Sequence, residues 1–468
     1  MWLNKISILS VILLAAFFRL ISLNQSLWWD EAINVVYARQ SDLWWFITKY
    51  PLGDFHPPGW FFILWVWGHL FGWSEVSVRM PSVLLGIGTV YITYLIAKEL
   101  FSRKVGLLAA LMLSLAPLHI YYSQEARMYA LSAFAVSLSI YSLIRLLRND
   151  RYSLLIYLLS SALVLYSDYV AYFIFPTQLI YVFLFQKQYI KTILLSLGLS
   201  VMLFSPWLFI FPNQLTAGQN TAILIPGWKE VVGGSSLKEL VLLPVKTLMG
   251  RVSLENSLLY LLLIAVLASP FLFVFTNVKK VFDNKYYLIL FWLIFTPVLV
   301  WIFSYIVPVF SYFRLLYILP AFYIAAAVCL VKFSNSYFKM LLGLILFFEL
   351  SVSCLYLFDN NFQREDWRGA IDIVTQNIDK QTLVVFENTE IPAAAKYYSN
   401  NLTNFEPGLA DDFESKFLNV RKVYLFEYLA DVYDPERSIE QKIKGMNFIE
   451  INTYNFIGVG FVRVYTKM

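Results

Sequence analysis

Leu27-Trp28-Trp29-Asp30-Glu31-Ala32 sets two adjacent carboxylates directly after the first apolar run, Ile6 to Leu23. Acids at the rim of an apolar segment are costly unless they pair or work, so the stretch marks a membrane edge with a site beside it. In the functional reading one carboxylate accepts a proton from an attacking hydroxyl. In the bland reading both are solvated charges or helix caps.

Composition widens that reading. Of 468 residues, 59% are hydrophobic and 14% charged, with a mean hydropathy of +0.64. Soluble domains carry about 25% charged residues, so the chain is a polytopic α-helical membrane protein. Residues 359–468 hold 17 acids and 12 bases, leaving 14 acids and 24 bases in residues 1–358. The sequence therefore divides into a basic membrane part, 1–358, and an acidic, soluble extracytoplasmic α/β part, 359–468. Cys329 and Cys354 both fall in apolar runs, which argues against a disulfide-stapled tail or a cysteine metal site. The first apolar run has no small-residue cleavage site after it and reads as a retained helix.

A span needs about 20 apolar residues. Eleven candidates follow: 6–24, 76–99, 105–122, 128–147, 152–167, 169–186, 189–211, 255–276, 286–307, 312–332 and 338–358. The shorter run Pro58–Trp73 reads as a re-entrant or interfacial helix. Kept out of the count, it puts Lys5, Arg103-Lys104, Arg145–Arg151, Lys187–Lys191, Lys279–Lys285 and Lys332–Lys339 on one, cytoplasmic side. The first outer loop, about 25–75, and a long loop, 212–254, then face outward. Ile33, Val36, Tyr37, Trp44 and Ile47 share a helical face, which predicts a helix over 33–47 lying on the membrane surface. The 212–254 loop, with Pro212, Pro226, Gly227, Gly233 and Gly234, reads as a mobile lid carrying an amphipathic piece near 236–249. In the tail, helices are expected at 367–378, 391–398 and 438–444, and strands at 382–387, 422–426, 447–455 and 459–465.

Other outward residues join the acid pair. His56 precedes Pro57-Pro58, either to bind a phosphate or carboxylate or as an incidental residue of a helix-start turn. Arg79 opens the second span and must snorkel or pair, with Asp30, Glu31 or a phosphate. Glu125, Arg127 and Tyr129 occupy the second outer turn, where Glu125 could equally serve the helix dipole. Asp168 and Arg314 complete the set, Arg314 being suited to a lipid phosphate.

Trp-Asp-Glu-Ala, His-Pro-Pro, Arg79-Met80-Pro81-Ser82 and Ser123-Gln124-Glu125-Ala126-Arg127-Met128-Tyr129, in that order, resemble the bacterial relatives of protein O-mannosyltransferases and lipid A aminoarabinose transferases. The resemblance covers about residues 5–330. It implies a C-type glycosyltransferase (GT-C) fold and an inverting enzyme at the outer face of a bacterial inner membrane. The donor would be a polyprenyl-phosphate-linked sugar, and the acceptor a hydroxyl of a glycan, lipid or protein. Asp30, Glu31 and Glu125 would be catalytic. His56, Arg79, Arg127, Tyr129 and Arg314 would hold the donor phosphate or substrate. Metal use varies in such enzymes, so a divalent ion on Asp30 and Glu125 stays open. No β-trefoil insertion is present, and no nucleic-acid partner is expected. The rival readings are a lipid-linked glycan polymerase or ligase, and a non-enzymatic flippase; charges collected at one face rather than at mid-membrane favour an enzyme.

Overall fold

The computed structural model describes residues 7–224, 234–281, 283–399, 401–410 and 412–468. Lys5 and the Pro226–Gly233 part of the long loop lie outside the described residues. Among them, six helices are long and apolar enough to cross a membrane: Glu75–Leu100, Tyr129–Leu146, Lys187–Leu208, Ser257–Lys280, Asn284–Phe303 and Asn335–Phe358. A seventh is formed if Arg103–Leu115 and Pro117–Ser123, bent by 65° at their junction, count as one. The other four expected spans are the short helices Ile8–Leu20, Ser153–Ser167, Val170–Phe185 and Leu316–Leu330. At 1.5 Å per residue, a 13-residue helix such as Ile8–Leu20 covers about 20 Å of a roughly 30 Å hydrocarbon core. Pro58–Trp73 forms one helix, Gly59–Phe71.

The bend at Pro117 shapes the outer end. A residue before proline is pushed out of the α region, and Ala116 is extended (ψ 116°). The break strands carbonyls of the preceding turn inside the bundle, where each must find a donor. Fully buried Arg19 supplies two of them, to Leu113 O (3.3 Å) and Ser114 O (3.0 Å), and Ser353 Oγ donates to Leu115 O at 2.8 Å. Gln124, just past the bend, donates to Ile21 O at 2.6 Å and accepts from Tyr356 Oη at 2.9 Å. Helix Glu75–Leu100 passes so close that a Cβ on Gly86 would stand 2.2 Å from Ser123 Oγ. The second outer turn is thereby fixed against three helices.

At the opposite end the basic loops meet one another. Arg148 pairs with Glu99, Asn149 donates to Tyr189 at 2.8 Å, Phe185 stacks on Tyr287, and Lys104 lies 4.5 Å from the Phe338 ring centre.

The tail holds a five-stranded sheet: β1 (Thr382–Phe386), β2 (Phe405–Pro407), β3 (Lys422–Phe426), β4 (Phe448–Phe456) and β5 (Gly460–Lys467), in the order β2-β1-β3-β5-β4. β1 runs parallel to β2 and β3, and β5 is antiparallel to β3 and β4. Gly458 takes φ 70° in the turn joining β4 to β5, a backbone region open to glycine. Alternation along β1 sends Val384 and Phe386 to one face and Leu383 and Val385 to the other. The first face is continuous with the apolar core of the bundle; the second closes its own cluster with Ile439 and Ile443. The tail is thus packed onto the helical part as well as joined to it.

Two expectations about the outer loops need correction. Residues 33–47 do not form one helix. Helix Trp29–Gln40 stops at Ser41, and Asp42 caps a new one, Leu43–Thr48, by accepting the Trp45 N–H at 3.0 Å. The face carrying Ile33, Val36 and Tyr37 fronts a cleft walled on its far side by tail residues, so a protein surface takes the place expected for lipid. The 212–254 segment begins as the helix Phe211–Leu224, and its amphipathic piece is the helix Leu237–Met249.

Candidate functional site

Glu31 is fully buried. It accepts Arg79 Nε–H at 2.9 Å and Nη2–H at 2.5 Å, and the Ala126 N–H at 2.8 Å. That last bond ties the first outer loop to the second turn, 95 residues on. Arg79 gives its remaining donors to Leu23 O, Gln25 O and Ser26 O. A guanidinium has five N–H groups, and all five are engaged. Arg79 therefore has no donor left for a lipid phosphate: of the partners expected for it, Glu31 is the one it meets, and it acts as a clamp. Burial works to raise the Glu31 carboxyl, but Arg79 and Arg364 outweigh it and hold it below the usual range. A carboxylate so held is a poor base.

Glu125 is also buried and also held. Arg364, from the tail, donates to Glu125 Oε2 at 2.6 Å, to Tyr121 O at 3.0 Å and to Gln124 O at 3.3 Å, with its guanidinium 4.2 Å from the Tyr121 ring centre. Glu125 Oε1 has no partner among the described residues.

Asp30 stands apart from both. Its Oδ2 lies 3.6 Å from Arg127 Nη2, and 31% of its side chain is exposed. Arg127 makes its shorter bond, 2.7 Å, to Asp54, whose other oxygen is 2.5 Å from His56 Nδ1. Burial tends to raise Asp54, yet Arg127 and His56 pull it well below the carboxylate range. Asp30, closely surrounded by protein though partly exposed, is shifted the other way: burial raises its carboxyl, only partly opposed by Arg127, and Asp54 adds to the rise. Of the acids gathered here, Asp30 is the one that is accessible, weakly paired and made more basic.

A metal on Asp30 and Glu125 does not fit this arrangement. Arg127 stands against Asp30 and Asp54, Arg364 holds Glu125, and no group of three His, Cys, Asp or Glu side chains placed to hold a metal ion is found among the described residues.

Among the described residues Arg314 meets no carboxylate; it donates to Val309 O at 3.4 Å, and its Nε has no partner. Two residues the sequence reading did not select share this character. Among the described residues Arg251 donates to the Tyr312 hydroxyl and to no carboxylate, and Lys246 bonds Ser253 Oγ at 2.8 Å. Rings link these cations to the acids: Tyr312 and Tyr129 both pack on Phe313, and Tyr129 is within electrostatic reach of Arg127, Glu125, Asp30 and Arg314. Asp168 lies elsewhere, its Oδ1 capping the Val170 N–H at 2.8 Å.

The tail's share was not expected. Glu365 accepts the Trp29 N–H (3.2 Å), Trp367 Nε1–H (2.7 Å) and the Tyr428 hydroxyl (3.0 Å), and Tyr428 stacks on Trp29. Burial brings the Glu365 carboxyl up to about 7. Arg368 and Tyr398 both reach Glu75, at 2.5 and 3.1 Å. Arg364, Glu365 and Arg368 sit in a run of ordinary polarity; only the Arg-Glu-Asp-Trp-Arg clustering hinted at them.

Comparison with known proteins gives this geometry a context. Residues 55–210 match the family model described as dolichyl-phosphate-mannose-protein mannosyltransferase. That span includes His56, Arg79, Glu125, Arg127 and Tyr129, and excludes Asp30, Glu31 and Arg314. ArnT from Cupriavidus metallidurans bound to undecaprenyl phosphate superposes with a TM-score of 0.59 at 12% identity, over 98% of this chain and 97% of that one. The Archaeoglobus fulgidus oligosaccharyltransferase tethered to an acceptor peptide gives 0.56 at 12%, over 97% and 73%. An uncharacterised protein of Aquifex aeolicus (strain VF5) is 26% identical over 196 residues, 40% of this chain and 38% of its own length. The two fold neighbours are glycosyltransferases. The chain has the GT-C fold, and across residues 55–210 it matches the dolichyl-phosphate-mannose-protein mannosyltransferase family.

Proposed function

We propose that this chain is an inverting glycosyltransferase that moves a sugar from a polyprenyl-monophosphate donor to an acceptor hydroxyl at the extracytoplasmic face of a bacterial inner membrane. The observation that carries the reading is the contrast between Asp30 and its neighbours: one accessible, base-strengthened carboxylate beside the buried, close ion pairs Glu31–Arg79 and Glu125–Arg364. Asp30 takes the proton of the acceptor O–H. The acceptor oxygen bonds to the anomeric carbon, and the carbon–oxygen bond to phosphate breaks. The bonding pair leaves on the lipid phosphate. Arg314 and Arg251, which pair with no carboxylate among the described residues, stabilise the growing charge on that phosphate. Glu31, Arg79, Glu125 and Arg364 act as positioning residues, Arg127 and His56 hold Asp54 beside Asp30, and Tyr129 lies between the acid and cationic groups.

The test is a transfer assay with purified protein, offering undecaprenyl-monophosphate and undecaprenyl-diphosphate sugars in parallel and following both lipids by mass spectrometry. Release of undecaprenyl monophosphate from the first donor supports the reading. Use of the diphosphate donor alone points to the polymerase or ligase class.

A further inference from the structure

A cleft of about 250 Å³ separates helix Trp29–Gln40 from the tail. Trp29, Tyr37 and Gln40 line one side, and Asn388, Glu390 and Tyr433 are among the residues on the other. We propose that this cleft is a carbohydrate subsite that binds a neutral pyranose ring of a glycan acceptor next to Asp30. The inference rests on the transferase reading and names its acceptor class.

Three observations support it. The first is position. Trp29 and Ile33, both in the wall, stand one residue before and three after Asp30 on the same helix, so the cleft runs alongside the turn that carries the proton acceptor. The second is chemistry. Three aromatic side chains provide flat apolar surface for the C–H face of a sugar, and amides with one Glu and one Lys provide donors and acceptors for its hydroxyls. With Lys396 and Glu390 balancing, the wall suits a neutral ring better than a phosphate. The third is an unmet bond. Asn388 is 4% exposed; its Oδ1 accepts the Thr389 N–H at 2.7 Å, while its Nδ2 has no partner among the described residues. A buried amide donor without a partner is costly, and a sugar hydroxyl would satisfy it.

The experiment is saturation-transfer NMR on the full-length protein in detergent, with cellobiose, mannobiose and diacetylchitobiose at millimolar concentration and no donor present. Wild-type protein is expected to show ring-proton signals with at least one of the three. Asn388→Leu and Tyr433→Ala, each checked for an unchanged melting temperature, are expected to lose them. In transfer assays either variant should raise the acceptor KM about tenfold, the size of one lost hydrogen bond, with kcat and donor KM unchanged. No signal from any disaccharide, or signals unaffected by both variants, overturns the subsite. Because binding is read without donor, sugar binding in a protein that consumes no polyprenyl-phosphate donor would remove the transferase reading and leave the subsite standing.

Discussion

The clamp around Glu31 and the open quarter around Asp30 are one peptide bond apart and differ in nearly every physical respect. In the clamp, both Glu31 oxygens and all five Arg79 donors are engaged and water is excluded. Around Asp30, the nearest cation is 3.6 Å away and already committed to Asp54. The difference teaches how to separate scaffold from chemistry at a membrane rim. A buried charge with every bond made holds elements in place; a charge left partly open and short of partners is available to a substrate. The same contrast divides the arginines: Arg79 and Arg364 are committed to carboxylates, while among the described residues Arg314 and Arg251 are not.

The sharpest way to break this comparison is to empty one half of the clamp. Arg79→Ala leaves Glu31 buried without its cation and is expected to lower stability by about 3–5 kcal/mol, read as a large drop in melting temperature in detergent. Adding Glu31→Gln should recover part of that loss, because the unpaired charge is gone. If Arg79→Ala instead melts like the wild type, the clamp is not what holds the two turns together. A smaller effect is expected on the uncommitted side. Arg314→Ala and Arg251→Ala should each weaken donor binding by about 1.5–3 kcal/mol, the range for a hydrogen bond to a charged group, as a raised donor KM with little change in melting temperature. A shift in melting temperature without a shift in KM would move these arginines into the scaffold.

The smallest effect concerns the joint between tail and loop. The folded protein brings the Glu365 carboxyl up to about 7 from an ordinary value of 4.5. Between those values the folded chain holds a proton that the unfolded chain has released, so stability falls as pH rises through the interval and levels off above it. Melting temperature should therefore decline from about pH 5 to about pH 7, and Glu365→Gln should flatten the part owed to this group. An unchanged slope in the variant would show that Glu365 does not titrate there.

Much of the outer site was legible because a charge beside an apolar run is conspicuous. Asp30, Glu31, Arg79, Glu125 and Arg127 all flank apolar segments, and the structure brings them together. Asp54, Arg364 and Glu365 were not legible. Arg364 and Glu365 sit in a polar stretch where a charge carries no penalty, Asp54 is a single acid in a proline- and glycine-rich turn, and Arg364 meets Glu125 across 239 residues, a pairing no local pattern encodes. Arg79 was expected to meet Asp30, Glu31 or a phosphate, and the structure selects Glu31, since sequence shows where a cation is but not how many of its donors are taken. The helix over 33–47 failed for a nearer reason: the apolar stripe runs on in register, but Ser41-Asp42 ends one helix and caps the next. The eleven expected spans all became helices, yet four are short and one is bent at Pro117, because apolar length in sequence does not reveal where a backbone turns.

The most direct test replaces Asp30 with Asn and measures, on one preparation, both the melting temperature and sugar transfer from undecaprenyl monophosphate. The account predicts an unchanged melting temperature with transfer reduced by roughly 10²–10⁴-fold, the usual contribution of a general base. Transfer at the wild-type rate by a folded Asp30→Asn protein would contradict it.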